Sequence, residues 1–223
     1  MQIQKKYIYC SLFFILCLLL LASCIGVQAD ISIRADGSGK LALEYRVSRL
    51  AEALGRLDGN ERWQTIPLGR ADFERTMARL PMLRLASFSS SSDNRDIINR
   101  AELEFKNTGD LLAFFDPSGT GKYGSYTKEN NTNRLTLVLS EDSSAIDDDL
   151  LLLIKEISIG YKLSFSLDVP GTAELLLMDG KGNEINTVPS GVELISRGKK
   201  VLLSMDSGDV FSLSGGMSIV FSW

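Results

Sequence analysis

Beyond an apolar run from Tyr7 to Leu21, hydrophobic positions recur along the chain with two different periods, and each period predicts its own element. Leu41, Leu43, Tyr45 and Val47 alternate with Lys40, Ala42, Glu44 and Arg46. With Ile31-Ser32-Ile33-Arg34 before them and the turn residues Asp36-Gly37-Ser38-Gly39 between, they predict a β-hairpin. The spacing then lengthens to Leu50, Leu54 and Leu57, an amphipathic helix after a Ser48 cap that ends at Gly59-Asn60. Phe73, Met77 and Leu80 predict a second helix, opened by Asp72 and stopped by Pro81. Strand character returns at Met82. The polar stretch Ser87 to Ser92, with Asp93-Asn94, reads as the wet end of a second hairpin, and Ala101, Leu103 and Phe105 resume the alternation. Thr108-Gly109-Asp110 cap a short helix through Phe115. Strands are expected around Tyr123 to Thr127 and Leu135 to Leu139, divided by Asn130 to Asn133. Ser143 or Ser144 then caps a helix carrying Ile146, Leu150, Ile154 and Ile157.

The last third is almost wholly β. Tyr161, Leu163, Phe165, Leu167 and Val169 alternate with Lys162, Ser164, Ser166 and Asp168, the clearest strand in the chain. Pro170-Gly171 and Asp179 to Asn183 supply turns, and Ala173 to Met178, Val192 to Ile195, Lys200 to Met205 and Met217 to Trp223 complete the series. Strands joined by short turns imply antiparallel pairing, and helices clustered elsewhere imply an α+β fold. The expectation is a mainly antiparallel sheet with two to four amphipathic helices and a β-rich C-terminal third. Residues 31–223 are expected to form one domain, with the polar stretch Gly119 to Arg134 as the only candidate break between two lobes.

The first 23 residues have the three parts of an export signal: Lys5 and Lys6, the apolar run, then Ala22 and Ser23. Leu21-Ala22-Ser23-Cys24 matches a bacterial lipobox. Small residues fit a peptidase's narrow subsites, and only a thiol at the fourth position can take a diacylglyceryl thioether. Cleavage between Ser23 and Cys24 and lipidation of Cys24 are therefore expected, with residues 24–30 as a short tether to the domain. An uncleaved anchor is the rival, because adding Ala22 to Val27 brings the apolar run close to the roughly 20 residues that span hydrocarbon. Cys10 and Cys17 lie in the part that cleavage removes, so the mature chain holds one thiol, already acylated. That excludes a disulfide framework, a thiolate metal site and a cysteine nucleophile.

Charge and composition narrow the partners. Two of the 24 basic side chains and none of the 28 acidic ones precede Cys24, leaving 22 against 28, a net −6. No basic stripe is left for nucleic acid. Net negative charge also disfavours adhesion to anionic headgroups, so acyl chains should supply the membrane attachment, two or more being needed for stable anchoring. A monomer is expected. The chain has no histidine, which removes the commonest general base and, with the cysteines gone, the commonest metal ligands. No carboxylate pair stands out as a glycosidase pair. No catalytic residue, cofactor or metal is assigned, and the protein is read as a non-enzyme.

Four segments invite a sharper chemistry. Ser118-Gly119-Thr120-Gly121-Lys122-Tyr123 suggests a phosphate loop, but the spacing needs glycine at Asp116 and a hydroxyl residue at Tyr123, so a flexible connection is the better reading. Glu141, Asp142, Asp147, Asp148 and Asp149 suggest calcium, yet three of them fall in the first turn of a helix, where the dipole favours carboxylates. Asp179 to Asn183 lacks the alternating acids of a calcium loop and reads as a turn. Met217, Ile219, Phe221 and Trp223 could be the last strand of an outer-membrane barrel, but the amphipathic helices do not fit a small barrel wall.

Taken together, the lipobox Cys24, Asp30-Ile31-Ser32-Ile33, the Asp36 to Gly39 turn, the strand Tyr161 to Val169 leading into Pro170-Gly171, and the strand ending in Trp223 resemble the LppM-type domain of bacterial lipoproteins. The resemblance covers most of residues 24 to 223. It implies an α+β fold with an apolar cavity for lipid-like ligands, and hence an extracytoplasmic, envelope-anchored protein that binds such a ligand or another envelope component. A structural or surface interaction protein without ligand is the alternative. This sequence departs from membrane-spanning members in having no second apolar span before Trp223, so lipid is expected to be its sole anchor.

Overall fold

The structure, a computed structural model, describes residues 25–49, 69–140, 148–185, 187–188, 190–211 and 216–223, without the side chains at 148, 150, 153, 157 and 211. The described strands build two sheets. The larger has the order β3-β4-β2-β1-β7-β10-β9 and the smaller β5-β6-β11-β8. Here β1 is Ile25–Ile33, β2 Gly39–Ser48, β3 Leu83–Ser92, β4 Asp96–Phe105, β5 Gly124–Glu129 and β6 Thr132–Ser140. The later strands are β7 Lys162–Asp168, β8 Glu174–Asp179, β9 Glu193–Arg197, β10 Lys200–Asp206 and β11 Met217–Ser222. Three α-helices are described, α1 Arg70–Arg79, α2 Thr108–Phe115 and α3 Asp148–Ile157, with a 3-10 turn at Ser207–Phe211. The fold is α+β and mainly antiparallel, and β-rich toward the C-terminus.

Alternation decides which face of each strand is dry. In β1 and β2 the odd-numbered side chains, among them Ile31, Ile33, Leu41, Leu43 and Tyr45, are buried, Val27 only partly. They join Leu103 and Phe105 of β4 and Phe165, Leu167, Val201 and Leu203 of β7 and β10 in one core with Leu135, Leu137, Leu177, Ile219 and Phe221 of the smaller sheet. The two sheets therefore share a single core, and Gly119 to Arg134 is no boundary between lobes: it carries β5 and the β5–β6 turn. That turn is set by Asn130 and Asn131, both at positive φ (48° and 66°), the mirror-image geometry that suits a two-residue hairpin. Phe73 of α1 is fully buried, with its ring 6.3 Å from Tyr45 and 5.6 Å from Phe88.

Several expectations are corrected. Residues 25–30, read as a tether, are the first two-thirds of β1, and β1 lies at the middle of the larger sheet between β2 and β7. Its pairing with β7 is parallel, Val27 opposite Leu163 through Ser32 opposite Asp168, which short turns alone would not produce. Ser87 to Ser92 belong to β3 and pair with β4 residue for residue up to Ser92 opposite Ile97. Backbone pairing along β4 holds them extended, although they lack apolar alternation. Asp72 is not the cap of α1 but its third residue, where its carboxylate accepts the Gly69 N–H at 3.0 Å. For α2 the cap is Asn107, whose Oδ1 accepts the Asp110 N–H at 3.0 Å. The predicted helix at 50–57, and the caps Ser143 and Ser144, lie outside the described residues. Ile154 on α3 is fully buried, in keeping with the predicted stripe.

Candidate functional site

None of Leu21, Ala22, Ser23 and Cys24 is among the described residues. Ile25, bonded to Cys24, is the first residue of β1. The Ser207 hydroxyl donates to the Ile25 carbonyl at 2.9 Å, and the Ser207 N–H donates to the Tyr161 carbonyl at 2.9 Å. Tyr161 in turn donates its hydroxyl to the buried Asp96 carboxylate at 2.6 Å. The Arg95 guanidinium lies 5.1 Å from the Tyr161 ring centre and donates to the Ile159 carbonyl at 3.2 Å. Arg46 and Arg95 each approach Asp96 to 3.9 Å, so the buried carboxylate sits among cations. Burial first, and then the Asp96 hydrogen bond, raise the Tyr161 pKa. A buried charge is tolerable only with such partners, and the effect of the network is to pin the start of β1 to the loop before β7.

Beside this network the outer face of the larger sheet carries a notch of about 350 Å³. Gly26 forms its floor, opposite Arg46 on β2. Arg46 and Lys162 flank it, with Gln28, Ser164 and Ser204 beyond. The acidic side chain lining it, Glu44, is held by Arg100 at 2.7 Å.

A larger cleft of about 580 Å³ opens at the other end of β1, where the interlayer space meets solvent. The β1–β2 turn forms one wall, and the last row of the smaller sheet, Lys128, Asn133 and Trp223, forms another. Asn107 to Gly109 at the start of α2 lie beside it. Tyr126 and Trp223 stack there, centroids 6.3 Å apart at 28°, and the Tyr126 hydroxyl donates to Asn133 Oδ1 at 2.7 Å. Asp36 in the turn accepts the Ser38 hydroxyl and N–H, which lowers its pKa. The lining combines an aromatic pair with amides and cations, which can bind and orient a ligand.

A third cleft, of about 310 Å³ and lined by Val47, Phe88 and Ile97, lies where the chain enters and leaves residues 50–68, outside the described residues. Among the described residues no three His, Cys, Asp or Glu side chains gather as a metal site, and no helix is long and apolar enough to cross a membrane.

The exposed glycine-rich segment after α2 folds back on Asp116. Gly121 donates its N–H to Asp116 Oδ2 at 2.7 Å, and the Ser118 hydroxyl donates to Asp116 Oδ1. The amide that a phosphate would need is already spent on a carboxylate, whose pKa falls chiefly because of the Ser118 bond. Glu141, Asp142 and Asp147 lie outside the described residues. Asp179 accepts the Lys181 and Asn183 N–H groups at 2.9 and 2.8 Å, the geometry of a turn. Sequence reasoning missed Asp96, Arg95 and Ser207. A buried acid next to an arginine at the head of a strand was the one signal available.

The sequence matches no protein-family model and no curated protein. Among solved structures, the folded domain of LppM from Mycobacterium tuberculosis, determined by NMR, aligns over 88% of each chain at 13% identity with a TM-score of 0.40. That is a weak fold-level resemblance.

Proposed function

We propose that this chain is a lipid-anchored, non-enzymatic envelope protein whose folded domain holds another envelope component in the cleft at the far end of β1. The supporting observation is that the strand following Cys24 runs from the proposed anchor to that cleft. Nine residues at about 3.3 Å each place the cleft roughly 30 Å from the lipid. A cleft with an aromatic floor and a rim of Arg34, Lys128, Asn131 and Asn133 suits a partly polar group better than a bare acyl chain. The lack of histidine, and the proposed acylation of the one thiol that cleavage would leave, support the non-enzymatic reading.

The test is intact-mass analysis of the membrane-extracted protein. The expected species has lost residues 1–23 and gained acyl mass on Cys24. With Cys24→Ala behind a cleavable export signal, the protein should move from the membrane pellet to the soluble fraction. Cleavage after Ala29, or a retained leader, overturns the proposal. For the cleft, Trp223→Ala should weaken the retention of whatever component co-purifies with the wild type while leaving the acyl mass unchanged.

A further inference from the structure

If Cys24 carries the lipid, there is no stalk. Adjacent Cα atoms are about 3.8 Å apart, and Ile25 is already paired with Val47 on β2 and fixed by Ser207, with the β7 pairing starting two residues on at Val27. The end of the larger sheet that contains Gly26 must then lie at the headgroups. We propose that the Gly26 notch is a docking site for the phosphate of an anionic phospholipid in the leaflet that holds the anchor, and that it seats the domain on the membrane in one orientation. The inference rests on the proposed lipidation.

The geometry fits that occupant. A Cβ built on Gly26 would lie 3.3 Å from the Lys162 carbonyl oxygen and 3.6 Å from Arg46 Cβ, so the missing side chain is what opens the floor. Arg46, its side chain 43% exposed, and the exposed Lys162 stand on either side. Arg95 lies behind Gly160, its NH2 3.7 Å from a Cβ built there. Glu44 is held by Arg100 at 2.7 Å and lies 4.0 Å from Arg46, and Asp96, 3.9 Å from Arg46, is buried under Tyr161. The exposed Asp206 opposite Lys162 and Asp93 in the β3–β4 turn lie outside the notch. The chain's overall acidity thus does not describe this site, whose lining offers the Arg46 and Lys162 cations and the Ser204 hydroxyl to a phosphodiester, the Ser164 hydroxyl donating to the Leu203 carbonyl and the Gln28 amide to Asp30. A basic side chain at an anionic surface contributes about fivefold to binding, so the pair should contribute about 25-fold.

The experiment places the mature protein in vesicles of phosphatidylcholine alone or mixed with phosphatidylglycerol and follows amide hydrogen exchange. The turn at Ile159 to Tyr161 should exchange at least fivefold more slowly with phosphatidylglycerol present, while the distal turn Ala35 to Ser38 is unchanged. R46Q/K162Q should abolish the difference, and K162Q alone should reduce it. R34Q/K128Q at the far end should leave it intact. Protection of the Leu203 amide in every variant separates loss of the notch from loss of the fold. Equal protection in both lipids, or protection that survives R46Q/K162Q, overturns the proposal. So does the same slowing produced by inorganic phosphate in detergent, which would mark a free-anion site. Intact mass of the same sample separates the two failures. Protein without acyl mass refutes the anchor, and acylated protein with lipid-independent exchange refutes the notch.

Discussion

Gly39 illustrates how a single atom sets the register of the β1–β2 pair. A Cβ there would fall 2.0 Å from the Ser32 carbonyl oxygen and 2.5 Å from Phe105 Cζ. The first is backbone of the neighbouring strand and the second belongs to the core, so neither can swing aside. Gly39→Ala is expected to cost about 1–3 kcal/mol, the usual range for overpacking, or more. Gly171→Ala, with nothing within 4 Å, should change stability by less than about 0.5 kcal/mol. Urea unfolding of the two variants checks this, and equal losses would refute it. Gly39 is visible in the sequence only as one letter of a turn. Its closeness to Ser32 and Phe105 is a matter of three strands meeting, and the same holds for Asp96, whose partner Tyr161 lies 65 residues away.

Among the elements, β1 carries the most consequence. Beginning the domain at residue 30, as the tether reading would suggest, deletes Ile25 to Ala29. Ala29 is fully buried, and all five residues pair with Val47 to Leu43 on β2. It also removes the carbonyl that accepts from Ser207, leaving that buried hydroxyl unsatisfied at a cost of about 1–3 kcal/mol. A chain of residues 30–223 is therefore expected to unfold at a lower Tm than residues 25–223, by well over 10 °C, or to fail to fold. A loss of several kcal/mol in a domain of this size corresponds to a shift on that order. Matching thermal midpoints would show that the first residues of β1 are dispensable. The hairpins, α1, α2 and the β7 strand were legible because each is a local period with local turn chemistry. The Ser87 to Ser92 half of β3 was not, because its strand state comes from hydrogen bonding to β4 and not from its own composition.

Across the whole molecule, aspartates in turns and at element ends, Asp36 and Asp93 exposed, Asp179 half-buried and Asp116 buried, set the acid limit of stability. Asp36, Asp93, Asp116 and Asp179 all have lowered pKa values, because hydroxyl, side-chain amide or backbone N–H groups donate to the carboxylate. Their contribution is complete above the unfolded carboxylate value of about 4 and is lost as pH falls through the folded values. Tyr45, raised by burial, and Tyr161 act in the opposite direction: their contribution is complete below about pH 10 and is lost as pH rises past it. Tm should therefore be level between about pH 5 and pH 9 and fall on both sides. Asp116→Asn should flatten part of the acid limb, and a Tm that rises below pH 4 would contradict the assignment. By itself the sequence determined the dry face of most strands and the stripe of α1 that buries Phe73, because each is written in residues a few positions apart. Only the tertiary structure decided that β1 pairs in parallel with β7, that the two sheets share one core, and that Gly26, Arg46 and Lys162 meet beside the chain start. The β1–β7 pairing and the approach of Lys162 to Gly26 join segments more than a hundred residues apart, and their register is set by the packing of the whole core.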